Sequence, residues 1–343
     1  MLWGRYGTRV LLVVTDERCI DHSAGRNHPE RPDRLVAALD GVAQAGIDDA
    51  LRWAVPAAAT FDDLARVHDP DLIESIRAID EAGGGRVDPD TAMNEASLQA
   101  ALLAAGSVLA AVDELSTGAA DSGYCVVRPP GHHATASRSM GFCLFNSVAV
   151  AAALLADRGE RVAIVDIDAH HGNGTQDIFY TDPRVLYSSI HQSPLYPGTG
   201  AISEVGEGDG IGTTINVPLP PGATGDVARS AIDEVIGPAI ERFAPTWVFI
   251  SAGYDGHRSD PLTDLGYSSA DMADLVGAIA DLSSSGQIIT VLEGGYDLDA
   301  VLNSSAAVAA RLVGVDHRPE PPTTGGPGLD VVTAAAHLHK PRQ

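Results

Sequence analysis

Short, nearly continuous apolar runs recur along the chain and alternate with longer stretches rich in alanine and leucine. The runs that we predict as buried strands are Val10–Val14, Tyr124–Val127, Val162–Ile167, Val185–Ile190, Trp247–Ser251 and Ile288–Leu292. The stretches of helical length between them include Ala96–Leu115, Ser147–Asp157, Ala228–Phe243 and Ser269–Leu282. Strands that are apolar on both faces and separated by helices predict an α/β fold, with a parallel sheet covered on both sides. We expect one domain over residues 1–316 and a loosely attached, Pro- and Gly-rich tail over residues 317–343.

The composition narrows the class of protein. With 46 acidic and 22 basic side chains among 343 residues, the formal net charge is −24. Such a surface repels phosphates and anionic lipid headgroups, so we expect neither a nucleic-acid partner nor a membrane partner. The longest small-apolar stretch, Ala100–Val112, is shorter than the ~18 residues of a membrane span. Because the three cysteines are also too far apart for a disulfide framework, we expect a cytoplasmic protein.

Titratable residues follow the predicted strands, close to the point where each strand ends. His132 and His133 come after the run that ends at Val127. Asp168 and His170 follow the run that ends at Ile167, and Asp255 follows the run that ends at Ser251. The carboxyl ends of parallel strands meet at one edge of a sheet, where open α/β folds bind their ligands. We therefore expect these side chains to form a single site.

The segment from Asp166 to His170 has the spacing of a metal-binding motif. Side chains alternate in extended backbone, so Asp166, Asp168 and His170 project to the same side. Asp168, His170 and Asp255 together supply three ligands and leave one position open, as in catalytic zinc sites. The oxygen-rich ligand set also suits Fe²⁺ or Co²⁺. Taken singly, the motif is also compatible with a helix-capping carboxylate beside a packed histidine.

Two further motifs supply groups that a hydrolase needs. His132 and His133 follow the rigid Pro129-Pro130-Gly131 turn, and imidazoles can move protons near neutral pH. Tyr296 follows Gly294-Gly295, and a tyrosine hydroxyl can donate to an oxyanion. Each motif alone also fits simple packing at a turn. Combined with a metal ion, they predict hydrolysis of an amide or an ester.

In their order along the chain, these motifs resemble those of the zinc-dependent histone deacetylase family. The matching segments are His28-Pro29-Glu30-Arg31-Pro32, Arg128-Pro129-Pro130-Gly131-His132-His133-Ala134, Gly141-Phe142-Cys143-Leu144-Phe145-Asn146, Asp166–Gln176, Tyr196–Gly200, Ser251–Asp255 and Glu293–Tyr296. The class II-like bacterial histone deacetylase-like amidohydrolases are the subgroup that the chain resembles most. The resemblance implies the arginase-deacetylase fold, a single α/β domain around a mainly parallel sheet of about eight strands with helices on both faces.

The resemblance also implies roles for individual residues. The zinc ligands of the family fall on Asp168, His170 and Asp255. The catalytic positions of the family fall on His132, His133, Tyr296, Asp166 and Asn173. A structural potassium ion would be bound by Asp166, Asp168, His170, Ser189 and Ile190, and a second one around Phe179, Asp182 and Val185. The substrate channel would be formed by Gly141, Phe142, Tyr196, Leu262 and Gly294.

The activity implied by the resemblance is removal of an acetyl or longer acyl group from a lysine-like amine. The substrate would be an acetylated peptide, a protein or a small acetylated amine. A neutral amide at Asn173 holds an imidazolium less strongly than a carboxylate does, so we expect His133 to be the more readily neutral histidine. Dimers and tetramers occur among relatives, which leaves a homo-oligomer open. Lys340 is the only lysine among the 22 basic residues, which indicates a GC-rich bacterial genome.

Three alternatives are weighed against this interpretation. An acetylpolyamine amidohydrolase fits the acidity of the chain, but polyamine-selective eukaryotic relatives carry glutamate where this chain has Leu262. A dimanganese ureohydrolase, which shares the fold, has further aspartates where this chain has Gly172 and Gly253. From a different class, a catalytically inactive acyl-binding module would be expected to lack Tyr296, a paired histidine or a metal ligand.

Overall fold

The computed structural model of the protein describes residues 9–283 and 287–340. The first eight residues of the predicted domain, residues 284–286 and the last three residues of the predicted tail therefore lie outside the described residues. The strands are β1 (Leu11–Val14), β2 (Leu51–Ala54), β3 (Gly84–Arg86), β4 (Ala92–Asn94), β5 (Ser122–Cys125), β6 (Val162–Asp166), β7 (Val185–Gln192), β8 (Thr214–Leu219), β9 (Trp247–Ala252) and β10 (Ile288–Leu292). The helices are α1 (Asp33–Gln44), α2 (Phe61–Leu64), α3 (Pro70–Glu81), α4 (Ser97–Ser116), α5 (Ser147–Asp157), α6 (Asn173–Phe179), α7 (Gly225–Ala231), α8 (Gly237–Phe243), α9 (Ser269–Asp281), α10 (Leu298–Leu312) and α11 (Leu329–Leu338).

Eight strands form one parallel sheet in the order β2-β1-β5-β10-β9-β6-β7-β8, while β3 and β4 pair as a separate antiparallel ribbon. Alternate side chains of a strand enter different apolar clusters, as Leu11 and Val13 face one side of the sheet and Leu12 and Val14 the other. Helices α1 and α7 to α11 contribute to the first cluster, and α2 to α6 mainly to the second. The predicted α/β fold, with helices on both faces of a parallel sheet, is confirmed.

The hydrophobic pattern predicts the inner strands but not the two strands at the edges of the sheet. All six predicted strands are present, with bounds that shift by a few residues, because both of their faces are buried. The edge strand β2 contains exposed Arg52 and Trp53. The other edge strand, β8, contains Asn216 and Pro218, and proline is tolerated in an edge strand because one side of it needs no hydrogen-bond ladder. Such sequences do not have the apolar run that identifies a buried strand.

The predicted helix over Ala228–Phe243 begins earlier and is interrupted. It consists of α7 and α8, joined by one π-helical turn at Ile232–Ile236. Pro238 occupies the first turn of α8, where the missing N–H of proline needs no intrahelical partner. The π turn lets the chain pass this proline while the apolar face stays against the sheet.

Helix α4 extends beyond the predicted apolar stretch Ala100–Val112 and has 20 residues. By length and composition alone it could cross a membrane, a test that the core helices of globular proteins also pass. Of its most apolar window, 61% is buried inside the protein, and the helix packs against α5 and β5. Burial against the sheet therefore accounts for its hydropathy.

The segment after residue 316 is docked on the domain, which corrects the expectation of a loosely attached tail. Helix α11 lies against β8 and α7, and Val332 and Ala335 are completely buried. Thr323 donates both its N–H and its hydroxyl to the Asp271 carboxylate at the start of α9. The Pro- and Gly-rich composition is typical of a linker, but these specific contacts, which composition does not encode, fix the segment in place.

Candidate active site

The candidate site lies at the carboxyl edge of the sheet, beyond four adjacent central strands. In the order β5-β10-β9-β6, each strand is followed by polar residues that the sequence analysis singled out. Asp166 ends β6 and is in register with Ser251 of β9, so the segments that follow these two strands start side by side. Strand β10 leads into Glu293 and Tyr296, and β5 leads into the paired histidines. Parallel pairing thus brings together residues that are far apart in the chain.

Asp168, His170 and Asp255 meet in a buried cluster. The Nδ1 atom of His170 lies 2.8 Å from the Asp255 Oδ2 atom and 3.2 Å from the Asp168 Oδ1 atom. One potential ligand atom from each residue lies within 4.8 Å of the others, and all three side chains are buried. Two carboxylate oxygens and one imidazole nitrogen that face one point form a donor set that suits a divalent cation such as zinc.

The electrostatics of this cluster also fit a bound cation. Burial and the neighbouring Asp168 charge raise the pKa of Asp255 to about 7. Burial disfavours the charged form of His170, but the Asp255 and Asp168 carboxylates outweigh it and raise the pKa of His170 to about 10. Two buried carboxylates at this distance need positive charge between them, which either a proton on the imidazole or a metal ion can supply.

Three glycines allow the carboxylates to approach each other. A Cβ atom at Gly294 would overlap the carboxylates of both Asp255 and Asp168, and one at Gly253 would overlap Asp168. At Gly172, a Cβ atom would overlap the Asp166 carboxylate. The positions where ureohydrolases carry additional aspartates therefore have no room for a side chain without displacement of Asp166 or Asp168. Gly294 lies beside the metal-ligand candidates rather than on the wall of the substrate channel.

The paired histidines have different partners and opposite charge preferences. His132 Nδ1 lies 3.0 Å from Asp166 Oδ2, and His133 Nδ1 lies 2.8 Å from Asn173 Oδ1. Although burial opposes it, the Asp168 and Asp166 charges raise the pKa of His132 well above its ordinary value. Burial, helped by the neighbouring His132 charge, lowers the pKa of His133 well below its ordinary value. His133 is thus neutral near pH 7, with its Nδ1–H donated to the amide oxygen and its Nε2 atom free to accept a proton.

A narrow cavity of about 230 Å³ connects this cluster to the surface. The residues that line it are Asp90, His133, Gly141, Phe142, His170, Leu195, Tyr196, Leu262 and Tyr296. Its walls combine aromatic and aliphatic side chains near the mouth with the two imidazoles and the phenol at its base. Burial raises the pKa of the Tyr296 hydroxyl well above its ordinary value, so this group remains a hydrogen-bond donor.

Backbone conformation fixes one wall of the channel. Gly141 and Phe142 have φ angles of 57° and 69°, and such angles are uncommon for a residue with a side chain. The Phe142 N–H donates to the Thr91 hydroxyl at 3.0 Å, and the His28 ring packs edge-on against the Phe142 ring with centroids 4.6 Å apart. A Cβ atom at Gly141 would overlap the His133 ring. The strained backbone therefore places the aromatic wall close to His133.

The residues predicted to bind a monovalent cation lie on β6, on β7 and in the turn that follows β6. Asp166 of β6 is in register with Ser189 of β7, and Ile190 follows directly. The Asp166 and Asp168 carboxylates accept the N–H groups of Asp168 and His170, at 3.1 Å and 2.8 Å, which orders this turn. The Ser189 hydroxyl lies 2.9 Å from the His191 ring. Of the residues proposed for a second potassium site, Phe179 and Val185 are buried in the apolar core.

A buried charge network, which no sequence motif had indicated, supports the site. Glu30 binds Arg128 through contacts of 2.5 and 2.7 Å and Arg34 at 3.0 Å, with all three side chains fully buried. Arg34 also donates to the carbonyl oxygens of Glu293 and Gly295. Its guanidinium carbon lies 4.9 Å from the centre of the Tyr296 ring. The His28–Pro32 motif contained Glu30, but only the tertiary structure shows that it fixes the Tyr296 loop.

Two buried carboxylates, those of Glu293 and Asp260, accept hydrogen bonds from backbone N–H groups in the loops of the site. Glu293 Oε2 accepts the N–H groups of Gly131 and His132, at 2.7 and 3.2 Å, and thereby positions the paired histidines. Asp260 Oδ2 accepts the Tyr296 N–H at 2.7 Å. Glu293 could be found from its place in the Glu293–Tyr296 motif. Asp260 carries no comparable signal in the sequence.

The carboxyl edge of this parallel α/β sheet holds two aspartates and a histidine beside paired histidines and a tyrosine. This arrangement defines a hydrolase of the arginase-deacetylase class. The profile of the histone deacetylase domain matches residues 28–312. The chain belongs to the histone deacetylase family. The resemblance inferred from the motifs is confirmed.

Individual relatives cover most of the chain. A probable deacetylase of Archaeoglobus fulgidus is 38% identical over 89% of this chain and 86% of its own length. A histone deacetylase-like amidohydrolase of Pseudomonas aeruginosa is 36% identical over 90% of this chain and 87% of its own length. The crystal structure of the HDA15 HD domain superposes with a TM-score of 0.89 at 36% identity, over 97% of this chain and 95% of that one.

Proposed function

We propose that the chain is a zinc-dependent deacetylase that hydrolyses the amide of acetyl-lysine or a similar acylated amine. The observation that carries the proposal is the convergence of Asp168, His170 and Asp255 at the base of the channel that His133 and Tyr296 also line. Zinc bound there would polarise the acyl carbonyl and lower the pKa of water. Family membership supports the hydrolase, and the donor set supports the metal.

The remaining chemistry belongs to the side chains of this protein. His133 is neutral, so its Nε2 atom takes a proton from the attacking water and returns it to the leaving amine. Against the opposing effect of burial, the Asp168 and Asp166 charges raise the pKa of His132, so its imidazolium supplies positive charge beside His133. The Tyr296 hydroxyl donates to the carbonyl oxygen as negative charge develops there. Asn173 and Asp166 hold the two imidazoles in the required tautomers.

The channel favours a slender aliphatic stem. Phe142 and Tyr196 contribute aromatic rings to its walls, and Leu262, which is partly exposed, places an apolar side chain at the rim. A lysine side chain has four methylene groups that such walls can cover. We therefore place acyl-lysine in peptides or proteins first among substrates.

A second candidate substrate class is an acetylated polyamine. Asp90 lines the channel beside these apolar walls, and the chain has a net charge of −24. A carboxylate near the mouth would attract the free ammonium groups of a polyamine tail. Peptide and polyamine substrates differ in this cationic tail, so a direct comparison of their rates separates the two.

The test is turnover of the zinc-loaded protein on acetyl-lysine peptides, longer acyl-lysine peptides and acetylated polyamines. Replacement of Tyr296 by Phe should lower kcat by about 10²-fold or more and leave the zinc content unchanged, since one oxyanion donor is lost. Tyr180→Phe, which removes a phenol outside the channel, is the matched control. Undiminished turnover in Tyr296→Phe would remove this hydroxyl from the mechanism. Zinc-loaded wild-type protein that binds acyl-lysine but hydrolyses none of the substrates would favour the inactive acyl-binding module.

A further inference from the structure

The loop over residues 255–267 carries three parts of the site. It begins with the metal-ligand candidate Asp255, and Leu262 at its middle forms part of the channel rim. Asp260, between them, accepts the Tyr296 N–H. Any displacement of this loop would therefore move a ligand, the rim and the support of the oxyanion donor together.

His257 takes part in three of the hydrogen bonds that shape this loop. Its N–H donates to the Tyr254 carbonyl at 3.2 Å and closes the turn that contains Asp255. Its carbonyl accepts the Asp260 N–H at 2.8 Å and so starts the turn that presents Asp260 to Tyr296. The ring is buried, and its Nδ1 atom accepts the Ser259 N–H at 3.2 Å. The backbone of His257 thus links the metal ligand to the support of Tyr296.

A carboxylate from the C-terminal segment binds this residue. Glu320 Oε2 lies 2.6 Å from His257 Nε2 and accepts the Ser269 N–H at 3.0 Å. Glu320 Oε1 accepts a hydrogen bond of 2.5 Å from Arg258. Because His257 Nδ1 accepts from Ser259, its Nε2–H is the donor to Glu320. One side chain thus ties the start of the loop to the first residue of α9.

The segment that delivers Glu320 is itself anchored. Thr323, three residues further on, is held by the Asp271 carboxylate and accepts the Gly225 N–H at 2.9 Å. Helix α11 then packs on the sheet edge. Glu320 lies C-terminal to residues 28–312, which the family profile matches.

We propose that Glu320 is a positioning residue of the active site, which holds Asp255 and the Tyr296 loop in place through His257. It touches no reacting atom. The C-terminal segment is, on this view, part of the catalytic unit rather than an appendage. The inference rests on the proposed function only for the expected change in kcat. The expected changes in loop order and in zinc affinity can be measured without turnover.

The experiment compares Glu320→Ala with Arg318→Ala in the full chain. Arg318 belongs to the same segment, but it pairs with Asp274 of α9 and Asp316 and makes no described contact with the 255–267 loop. We expect Glu320→Ala to lower kcat about tenfold and to weaken zinc binding about tenfold, the smaller end of the range for groups that orient metal ligands. Amide hydrogen exchange over residues 256–267 should become faster. Arg318→Ala should leave all three quantities unchanged.

Glu320→Gln supplies the rescue arm. Its amide oxygen can still accept from His257, so kcat should return to within about threefold of wild type although the contact with Arg258 is lost. Equal behaviour of Glu320→Ala and Arg318→Ala, or an unchanged exchange rate in the loop, would overturn the proposal. If the wild type hydrolyses no acyl amide, the proposed function fails, while zinc competition with a chromophoric chelator and hydrogen exchange still decide the role of Glu320.

Discussion

Replacement of Asn173 by Asp tests the assignment of His133 as the proton-transfer group. The substitution keeps the shape of the side chain but places a negative charge at the Oδ1 position, 2.8 Å from His133 Nδ1. In the wild type, burial and the neighbouring positive charge of His132 keep the pKa of His133 well below its ordinary value. A new carboxylate opposes both effects, because it favours the imidazolium.

The size of the effect follows from the geometry. Unit charges about 4 Å apart interact by about 4 kcal/mol at an effective dielectric constant of about 20. That energy corresponds to about three pKa units, and the cost of burying the new carboxylate reduces it. We therefore expect the pKa of His133 to rise by about one to three units in Asn173→Asp. Protonated His133 cannot accept a proton, so activity should be lost over that added range of pH.

The assay is the pH dependence of kcat/KM from pH 5 to pH 10, with zinc content measured at each pH. The acidic limb of the profile should move upward in Asn173→Asp, while activity should recover on the alkaline side. Asn303→Asp on α10 adds the same charge away from the channel and should leave the profile in place. An acidic limb that stays fixed, or moves downward, in Asn173→Asp would refute the assignment.

Three further predictions concern metal binding, the buried charges and acid stability. Gly294→Ala should lower zinc affinity at least about tenfold in a chelator competition, since its Cβ atom would displace the carboxylates of Asp168 and Asp255, the proposed zinc ligands. Glu30→Gln should cost about 3–5 kcal/mol in urea unfolding, because it leaves two buried arginines without their counter-charge; a loss below about 1 kcal/mol would contradict this. Against the opposing effect of partial burial, hydrogen bonds from His257 and Ser269 lower the pKa of Glu320 from its ordinary 4.5 to about 2. Its stabilisation is therefore complete above pH 4.5 and lost as the pH falls toward 2, so the difference in unfolding free energy between wild type and Glu320→Gln should shrink over that window. A constant difference would show that the charge of Glu320 does not contribute.

Much of the site could be predicted because its residues sit in local motifs. The spacing of Asp168 and His170, the adjacent His132 and His133, and the position of Tyr296 after two glycines are visible without any structure. Each motif follows a strand whose two-sided burial makes it apolar throughout. The sequence therefore contained both the sheet and the edge where the chemistry lies.

Contacts between segments that are distant in the chain could not be predicted from the sequence motifs. The Arg34 contact with the Tyr296 ring joins helix α1 to the segment after β10, and nothing in either sequence requires the other. The same holds for Asp260 beneath Tyr296 and for Glu320 on His257. A charged residue that is buried by a distant partner looks, in sequence, like any exposed charge.

The amino-acid sequence by itself determined the layered α/β architecture, the order of the motifs and the set of side chains available for hydrolysis. Only the tertiary structure decided the edge strands, the docking of the C-terminal segment and the loop contacts that bring Asp255 against His170. The physical reason is that periodicity records whether a segment is buried on one face or on two. It does not record which polar groups meet across the sheet, because those pairings depend on strand order and on loop geometry.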